Sequence, residues 1–519
     1  MSRLPPIRLP PVRLPFWHQL CAAALLSATV LSSACSSLPA AAPHTPQHAF
    51  DAAADAPLAR LAAASLPPAP PAAAARSGLQ LLADGDDALA ARLLLARLAR
   101  DTLDAQYYQI AADTAGLQFL RELYLASRRG VRVRLLLDDL HAAELQELLA
   151  ALDAEPHFEV RLFNPLPARQ GSVAGRVLAS LHEFARINRR MHNKLFIADQ
   201  RIAVAGGRNI GDEYFMRDAH ANFFDMDVLV AGAVLPELGA HFDAFWNHPL
   251  AYGARRLLGR TPDAAPLRRL PEAAPPLQGR VLAQIEHGRL ALQAAQVQVF
   301  ADTPDKAARA EAAPGEAMQR SLQLLQGAQR EVLIASPYFV PGPKGMARMR
   351  QAIERGIGVQ VLTNSLAATD EPLAHLGYAR YRLQMLRMGV ALAELGPLPR
   401  RQGASGHASA GRLHAKLAVV DGRWLLIGSM NMDLRSSRLN TELALAVDSP
   451  PLAAAAAATL REHWSQGQYR LRLDDSGQQI EWQPQDGSGP RALLREPQLP
   501  WWRQLQLELW GLFVDEAQL

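Results

Sequence analysis

Two short stretches of this 519-residue chain carry side chains suited to handling a phosphate. His192 and Lys194 are followed by Asp199, and His414 and Lys416 by Asp421, so both stretches read H-x-K-x4-D. Each runs into a Gly-rich turn with an Asn, Gly206-Gly207-Arg208-Asn209 and Gly428-Ser429-Met430-Asn431, and each Asn lies 17 residues past its His. An imidazole can attack phosphorus or pass a proton to and from oxygen. Lys and Asn donate hydrogen bonds to phosphate oxygens and to the charge that develops there. One H-x-K pair is better read as a structural His at a strand edge. Two copies with matched Asn residues point to one phosphodiester site built from two halves. A metal site is disfavoured: no Cys or carboxylate stands at ligand spacing near either His, and the neighbouring Lys would repel a cation. No metal or cofactor is expected.

The elements that must position these residues also repeat. Thr102–Tyr108 pairs with Glu331–Phe339, Arg129–Asp138 with Arg355–Asn364, and Val160–Phe163 with Val390–Ala393. Short β-rich apolar runs alternate with longer helical patterns, such as Gly116–Ser127 and Met346–Arg355. This predicts an α/β fold in two tandem domains, each a mixed, mostly buried sheet flanked by helices. His and Lys two apart are expected on one face of a strand. The repeat is far too long for a solenoid.

The doubled motif resembles the phospholipase D superfamily over roughly residues 78–490, and within it the bacterial cardiolipin synthase C type. The phrases that carry the closer resemblance are Asn188–Lys194, Gly206–Phe215, Leu362–Ala368, Gly377–Arg380 and Asn440-Thr441-Glu442. The resemblance implies a single active site at the interface of the two domains. The candidate catalytic residues are His192, Lys194, Asp199, His414, Lys416 and Asp421. Among them His192 would be the nucleophile that becomes a phosphohistidine, and His414 the general acid and then base. Asp199 and Asp421 are expected at strand ends in a structural role. Asn209 and Asn431, with the two Lys, would hold the phosphate, and Ser429 joins them as a candidate substrate-binding residue. The first half has Gly207 in its place. Glu442 matches the carboxylate that orients a motif His, and Asp225 is its counterpart in the first half, with Asp227 close behind. Gln109 stands where the family commonly has an aromatic. His375 suits either a headgroup contact or a helix surface.

Length and charge set further bounds. The chain suffices for two cores. Its formal charge is +4, from 54 basic and 50 acidic residues, with no basic stripe of the kind nucleic acid demands. Arg3, Arg8 and Arg13, an apolar run from Leu20 to Leu31, and Ser32-Ser33-Ala34-Cys35 resemble a bacterial lipoprotein signal, with Cys35 as the lipidated residue. Cys21 and Cys35 are the only cysteines, so no intrachain disulfide is expected after cleavage. This implies a membrane-anchored protein of the bacterial envelope, facing the periplasm.

The expected organisation is a signal segment at 1–35, an Ala/Pro-rich spacer at 36–77, a first domain at 78–250, a linker or insert at 251–315 with a short strand at Val297–Phe300, a second domain at 316–468, and a hairpin with an amphipathic segment at 469–519. The last segment, with Trp501, Trp502, Leu505, Leu509, Trp510, Leu512 and Phe513, suits a membrane interface and packing on its own domain equally.

The resemblance thus implies a membrane-associated phosphatidyltransferase acting on phospholipids. It would make cardiolipin from phosphatidylglycerol, with phosphatidylethanolamine as a candidate donor. Hydrolysis to phosphatidic acid is the alternative, because its first half-reaction is the same. An exported nuclease fits less well, for want of a basic stripe and with a lipid anchor expected, and so does an inert lipid-binding envelope protein, since both sets of His, Lys and Asn are intact. Need for an accessory protein is left open by these residues.

Overall fold

The computed structural model describes residues 38–39, 45–50, 53–67, 76–273, 276–309, 313–396, 398–399, 410–464, 468–485, 492–497, 502 and 506–507. Cys35 with the expected signal segment, and most of the C-terminal amphipathic stretch, lie outside the described residues.

The first half contributes strands β1 (Ser77–Leu82), β2 (Thr102–Tyr107), β3 (Arg132–Asp138), β4 (Phe158–Phe163), β5 (Leu195–Ala198), β6 (Ile202–Gly206), β7 (Ala221–Phe224), β8 (Asp227–Gly232) and β9 (Ala251–Gly253). The second contributes β10 (Gln293–Ala301), β11 (Glu331–Ala335), β12 (Gly358–Asn364), β13 (Ala391–Leu395), β14 (Leu398–Pro399), β15 (Ala410–Leu413), β16 (Leu417–Val420), β17 (Trp424–Gly428), β18 (Leu443–Asp448), β19 (Gln468–Leu473) and β20 (Ile480–Pro484). In each half three parallel strands lie side by side, β2-β3-β4 and β11-β12-β13. An antiparallel motif hairpin joins them, β5-β6 on β2 and β16-β17 on β11. Parallel strands need helical crossovers. Thr114–Arg128 links β2 to β3 and Gly342–Glu354 links β11 to β12. Asp113 starts the first of these by accepting the Gly116 N–H at 2.9 Å.

The two halves form one 17-stranded sheet. The joint is β10, whose first residues pair antiparallel with β1 (Ser77 opposite Ala295) and whose remainder pairs with β18 (Val297 opposite Val447). β10 therefore stands to β18 as β1 stands to β8. The stretch 251–315, read from sequence as a linker, thus holds the first strand of the second half, so that half begins before 316. The short strand expected at Val297–Phe300 is present within β10, longer than expected and part of the sheet rather than of a linker. The spacer reading of 36–77 also changes. Pro57–Ser65 is a helix that buries Leu58, Leu61 and Ala62 in the first core, and Gln47 bonds Asn247, Glu159 and Trp246.

Alternation along the motif strand divides the interior. Phe196 and Ala198 of β5 face the first half's own core, whereas Leu195 and Ile197 enter a core shared with Leu417 and Val419 of β16. Helices Leu235–Trp246 and Pro450–Trp464 fill that shared core. The carboxyl ends of the parallel strands, the usual place for a crevice in α/β sheets, carry the residues described next.

Candidate active site

β5 begins at Leu195 and β16 at Leu417, so each His-x-Lys lies just ahead of its strand, which corrects the expectation that both side chains sit on the strand itself. Its position is fixed from both sides. Met191 N–H donates to Asp138 Oδ2 at 2.9 Å, and Leu413 N–H to Asn364 Oδ1 at 2.8 Å. Asp138 and Asn364 end β3 and β12 and are repeat partners. The His backbones then reach across the interface: His192 N–H donates to the Thr441 carbonyl at 3.0 Å, and His414 N–H to the Phe224 carbonyl at 2.7 Å. Those carbonyls directly precede Glu442 and Asp225.

The carboxylates consequently cross between the halves. Glu442 lies 3.0 and 3.1 Å from His192 Nδ1, and Asp225 Oδ2 lies 2.5 Å from His414 Nδ1. An ionised carboxylate only accepts, so Nδ1 carries the proton and Nε2 keeps its lone pair in the neutral ring. Ser429 Oγ donates to Glu442 at 2.5 Å and Ser436 Oγ at 2.8 Å. Ser429 is fully buried and also accepts from Leu443 N–H. It is thus committed to holding Glu442, which corrects its expected place among the substrate contacts. Gly207 takes the matching position because a Cβ there would overlap the Asp225 carboxylate.

Lys194 Nζ donates to its own His192 carbonyl at 2.7 Å and Lys416 Nζ to that of His414 at 2.6 Å, leaving further N–H groups on each for an anion. Asn209 meets the Tyr214 hydroxyl at 2.9 Å, and its Oδ1 is buried without a partner, as is Asn431 Oδ1. Turning the Asn209 amide lets Oδ1 accept the phenol proton and frees the NH2 for a phosphate oxygen. Tyr108 sets its ring edge-on to His192, and Tyr214 does the same to His414, at centroid distances of 5.0 and 5.1 Å.

Burial brings His192 down to about 4, with Lys194 and Lys416 adding to the effect and Glu442 opposing it. The resting ring is therefore neutral at pH 7. Burial also lowers His414, helped by Lys416 and opposed by Asp225. Lys416 falls to about 8 through burial, against the nearby carboxylates, and burial together with Lys416 takes Lys194 well below its ordinary value. Burial would raise Asp225, yet His414, Lys416 and Arg208 outweigh it and hold the carboxyl at about 2. Two desolvated ammoniums beside two imidazoles concentrate positive charge that an anion would relieve.

Asp199 and Asp421 belong elsewhere, and their placement in the catalytic set is corrected. Asp199 accepts from the N–H groups of Arg100, Asp101 and Thr102, and Asp421 from those of Gln329, Arg330 and Glu331. Each ties the turn of its motif hairpin to the start of the neighbouring strand. Both adopt positive φ (51° and 55°), a conformation Asp tolerates better than most residues. His375 is buried rather than on a helix surface, and its Nδ1 lies 3.1 Å from the Asn364 carbonyl, bracing the wall behind Leu413 instead of contacting a headgroup.

Sequence reasoning missed a buried pair in the supposed linker. Asp302 Oδ2 accepts from Glu442 N–H at 3.0 Å and from Lys306 Nζ at 2.8 Å, and Lys306 also donates to the Ser436 carbonyl at 2.9 Å. The pair fixes both Glu442 and one of the hydroxyls that hold it. Arg208 serves the first half in another way, donating to the Asp225 carbonyl and pairing with Asp227 at 3.3 Å.

A family model described as "Cardiolipin synthase, PLD-like domain" matches residues 95–246 and 321–464, one copy of the motif in each segment. Cardiolipin synthase C of Escherichia coli K12 is 35% identical over 462 residues, which cover 85% of this chain and 95% of that protein. Cardiolipin synthase B of Salmonella typhi is 25% identical, over 71% of this chain and 76% of that protein. Among solved structures, the phosphatidylserine synthase of Haemophilus influenzae Rd KW20 shares the fold at a TM-score of 0.54 and 15% identity, over 84% of this chain and 92% of that one. The chain belongs to the cardiolipin synthase family of phospholipase D-like proteins.

Proposed function

We propose that this enzyme transfers a phosphatidyl group to phosphatidylglycerol, forming cardiolipin through a phosphohistidine at His192. The observation that carries the reading is the crossed pair of His–carboxylate contacts around two buried lysines. With Nδ1–H held by Glu442, the neutral His192 presents Nε2 to phosphorus. The P–N bond forms as the bond from phosphorus to the leaving alkoxide oxygen breaks. His414, protonated as the phosphodiester anion enters and stabilises the imidazolium, gives that oxygen its proton. Neutral His414 then takes the proton of an incoming hydroxyl, whose oxygen attacks phosphorus and releases His192. Lys194, Lys416, Asn209 and Asn431 hold the equatorial oxygens, each donor worth about 2–4 kcal/mol of barrier.

The names of the relatives favour a phospholipid hydroxyl over water as acceptor. Phosphatidylethanolamine is the proposed donor alongside phosphatidylglycerol. The test supplies purified enzyme in mixed micelles with labelled phosphatidylglycerol, with and without phosphatidylethanolamine, and reads products by mass spectrometry. Labelled cardiolipin is expected, rising with the second lipid. Phosphatidic acid as sole product would make the enzyme a hydrolase.

Attachment to the bacterial envelope through Cys35, with the site facing the periplasm, is proposed from the N-terminal signal pattern. Labelled palmitate should enter the wild-type chain and be absent from Cys35→Ser; equal labelling of the two would remove the proposed anchor.

A further inference from the structure

One segment beside the site is built inside-out for a protein bathed in water. Between β4 and β5 run the helix Val173–Ala179, a single 3-10 turn at Leu181–Glu183 and the short helix Phe184–Ile187. A water-facing helix turns its apolar side in and its charges out. Here Arg176 and Ser180 are buried, whereas Leu178, Leu181 and Phe184 are 67%, 48% and 47% exposed. They recur every three residues. Of the eight large hydrophobic residues that stand exposed among those described, three fall within these seven positions.

Polar anchors replace the missing apolar ones. Arg176 Nη2 reaches Asp139 at 2.6 Å, Arg169 reaches the same carboxylate at 2.7 Å, and Asn164 Nδ2 donates to the Arg186 and Arg189 carbonyls at 3.0 and 2.7 Å. These contacts hold the segment in place without burying its apolar side chains.

Its exposed apolar side chains and its position name the occupant. The segment's arginines are committed inside the protein: Arg176, Arg189 and Arg190 are buried, and Arg169 and Arg186 pair with Asp139 and Glu183. The segment ends just before His192. Arg190 pairs with Asp138 beside the motif, and Asn188 is held by Arg435, four residues past Asn431 in the other half. Exposed leucines and a phenylalanine beside a site read as one for phospholipids match a bilayer surface, whose acyl chains take the apolar tips.

We propose that residues 173–184 form the bilayer-contacting surface of this enzyme, with Leu178, Leu181 and Phe184 entering the interface so that a lipid phosphate can pass from the membrane to His192. The proposal rests on the reading of the site as one for phospholipids.

The test uses the full chain with Cys21→Ser and Cys35→Ser, so that no lipid anchor masks the result. Phe184→Cys then carries an environment-sensitive fluorophore as the sole thiol label, and Glu354→Cys, exposed at the end of the helix Gly342–Glu354 in the second half, is the control. Vesicles of phosphatidylglycerol and phosphatidylcholine should shift the emission at 184 to the blue, brominated acyl chains should quench it, and 354 should respond to neither. An emission at 184 that stays as in water overturns the proposal. In parallel, Leu178→Ser, Leu181→Ser and Phe184→Ser combined should lower turnover of vesicle lipid about tenfold while turnover of a monomeric short-chain phosphatidylglycerol stays within about twofold. Unchanged turnover on vesicles also overturns it. A wild-type chain that turns over neither substrate counts against the proposed reaction, and the label at 184 still decides the docking surface.

Discussion

Glu442 of the second half holds Nδ1 of His192 in the first, at 3.0 Å. The reciprocal contact, Asp225 to His414, means that neither half contains a working imidazole of its own. Glu442→Gln should act as a lesion of the first motif and Asp225→Asn as one of the second. Each is expected to lower kcat by roughly 10³–10⁴-fold, as when the orienting carboxylate of a catalytic His becomes an amide. Steady-state turnover checks this, with circular dichroism confirming an unchanged fold. Activity of Glu442→Gln within tenfold of wild type would break the crossed arrangement.

Lys416 trades stability for function. Its folded value of about 8 lies below its ordinary 10.5, so the unfolded chain binds the proton more tightly. The sign follows: stability on this account is lowest below about 8 and recovers as pH rises toward 10.5. Lys416→Met removes the buried charge and should stabilise the fold at pH 7 by at most about 3 kcal/mol, read as a higher melting temperature, while lowering kcat by roughly 10²–10³-fold. Vanadate should raise the melting temperature of the wild type and much less that of the variant. A destabilised Lys416→Met would contradict the account.

The pH dependence of phosphoenzyme formation follows from His192. Its nucleophilic form is the neutral one, and burial extends that form down to about 4. The acid limb of the first-turnover rate should therefore lie well below the ordinary His value of 6.5. Rapid-quench measurement between pH 4 and 8 reads it directly, and a limb near 6.5 would mean an imidazole that is not desolvated.

Asp302 and Lys306 are positioning residues acting through Glu442. Lys306→Met leaves Asp302 as an unpaired buried carboxylate and is expected to cost about 3–5 kcal/mol of stability. The double variant Asp302→Asn, Lys306→Met should recover much of that loss. It should still show kcat lowered roughly tenfold with KM little changed, because Glu442 and Ser436 lose their fixed partners. Recovery of full kcat in the double variant would reduce the pair to a structural role.

Asp199→Ala and Asp421→Ala should lose stability rather than chemistry, about 1–3 kcal/mol each from orphaned backbone donors. Asp421 is held below the ordinary carboxylate value, burial notwithstanding, by the N–H groups of Glu331, Gln329 and Arg330. Its contribution is present above the unfolded value and is lost as pH falls through the folded one. Thermal melts at pH 7 and pH 3, with kcat per folded molecule at pH 7, separate the two effects.

The repeat made much of this legible in the sequence. Matching Asp138 to Asn364 and His192 to His414 required only spacing, and those pairs do the same work in each half. Position 207 against 429 was legible only as a difference; its cause, the closer approach of Asp225, lies in the fold. The crossing of the carboxylates was not legible, since nothing in a one-dimensional spacing says which His a distant Glu will meet. Asp302 and Lys306 were hidden by composition: the prolines around them read as a spacer, while β10, which positions them, takes its place through pairing with β1 and β18. Lys194 and Lys416 fold back onto their own His carbonyls, which the period of a strand could not foretell.

The most direct measurement is a rapid-quench digestion of enzyme mixed with labelled phosphatidylglycerol, read by mass spectrometry on the two motif peptides. The account predicts a phosphatidyl adduct on the peptide containing His192, appearing before cardiolipin and absent in His192→Ala. An adduct confined to the His414 peptide, or product formed by His192→Ala at the wild-type rate, would contradict it.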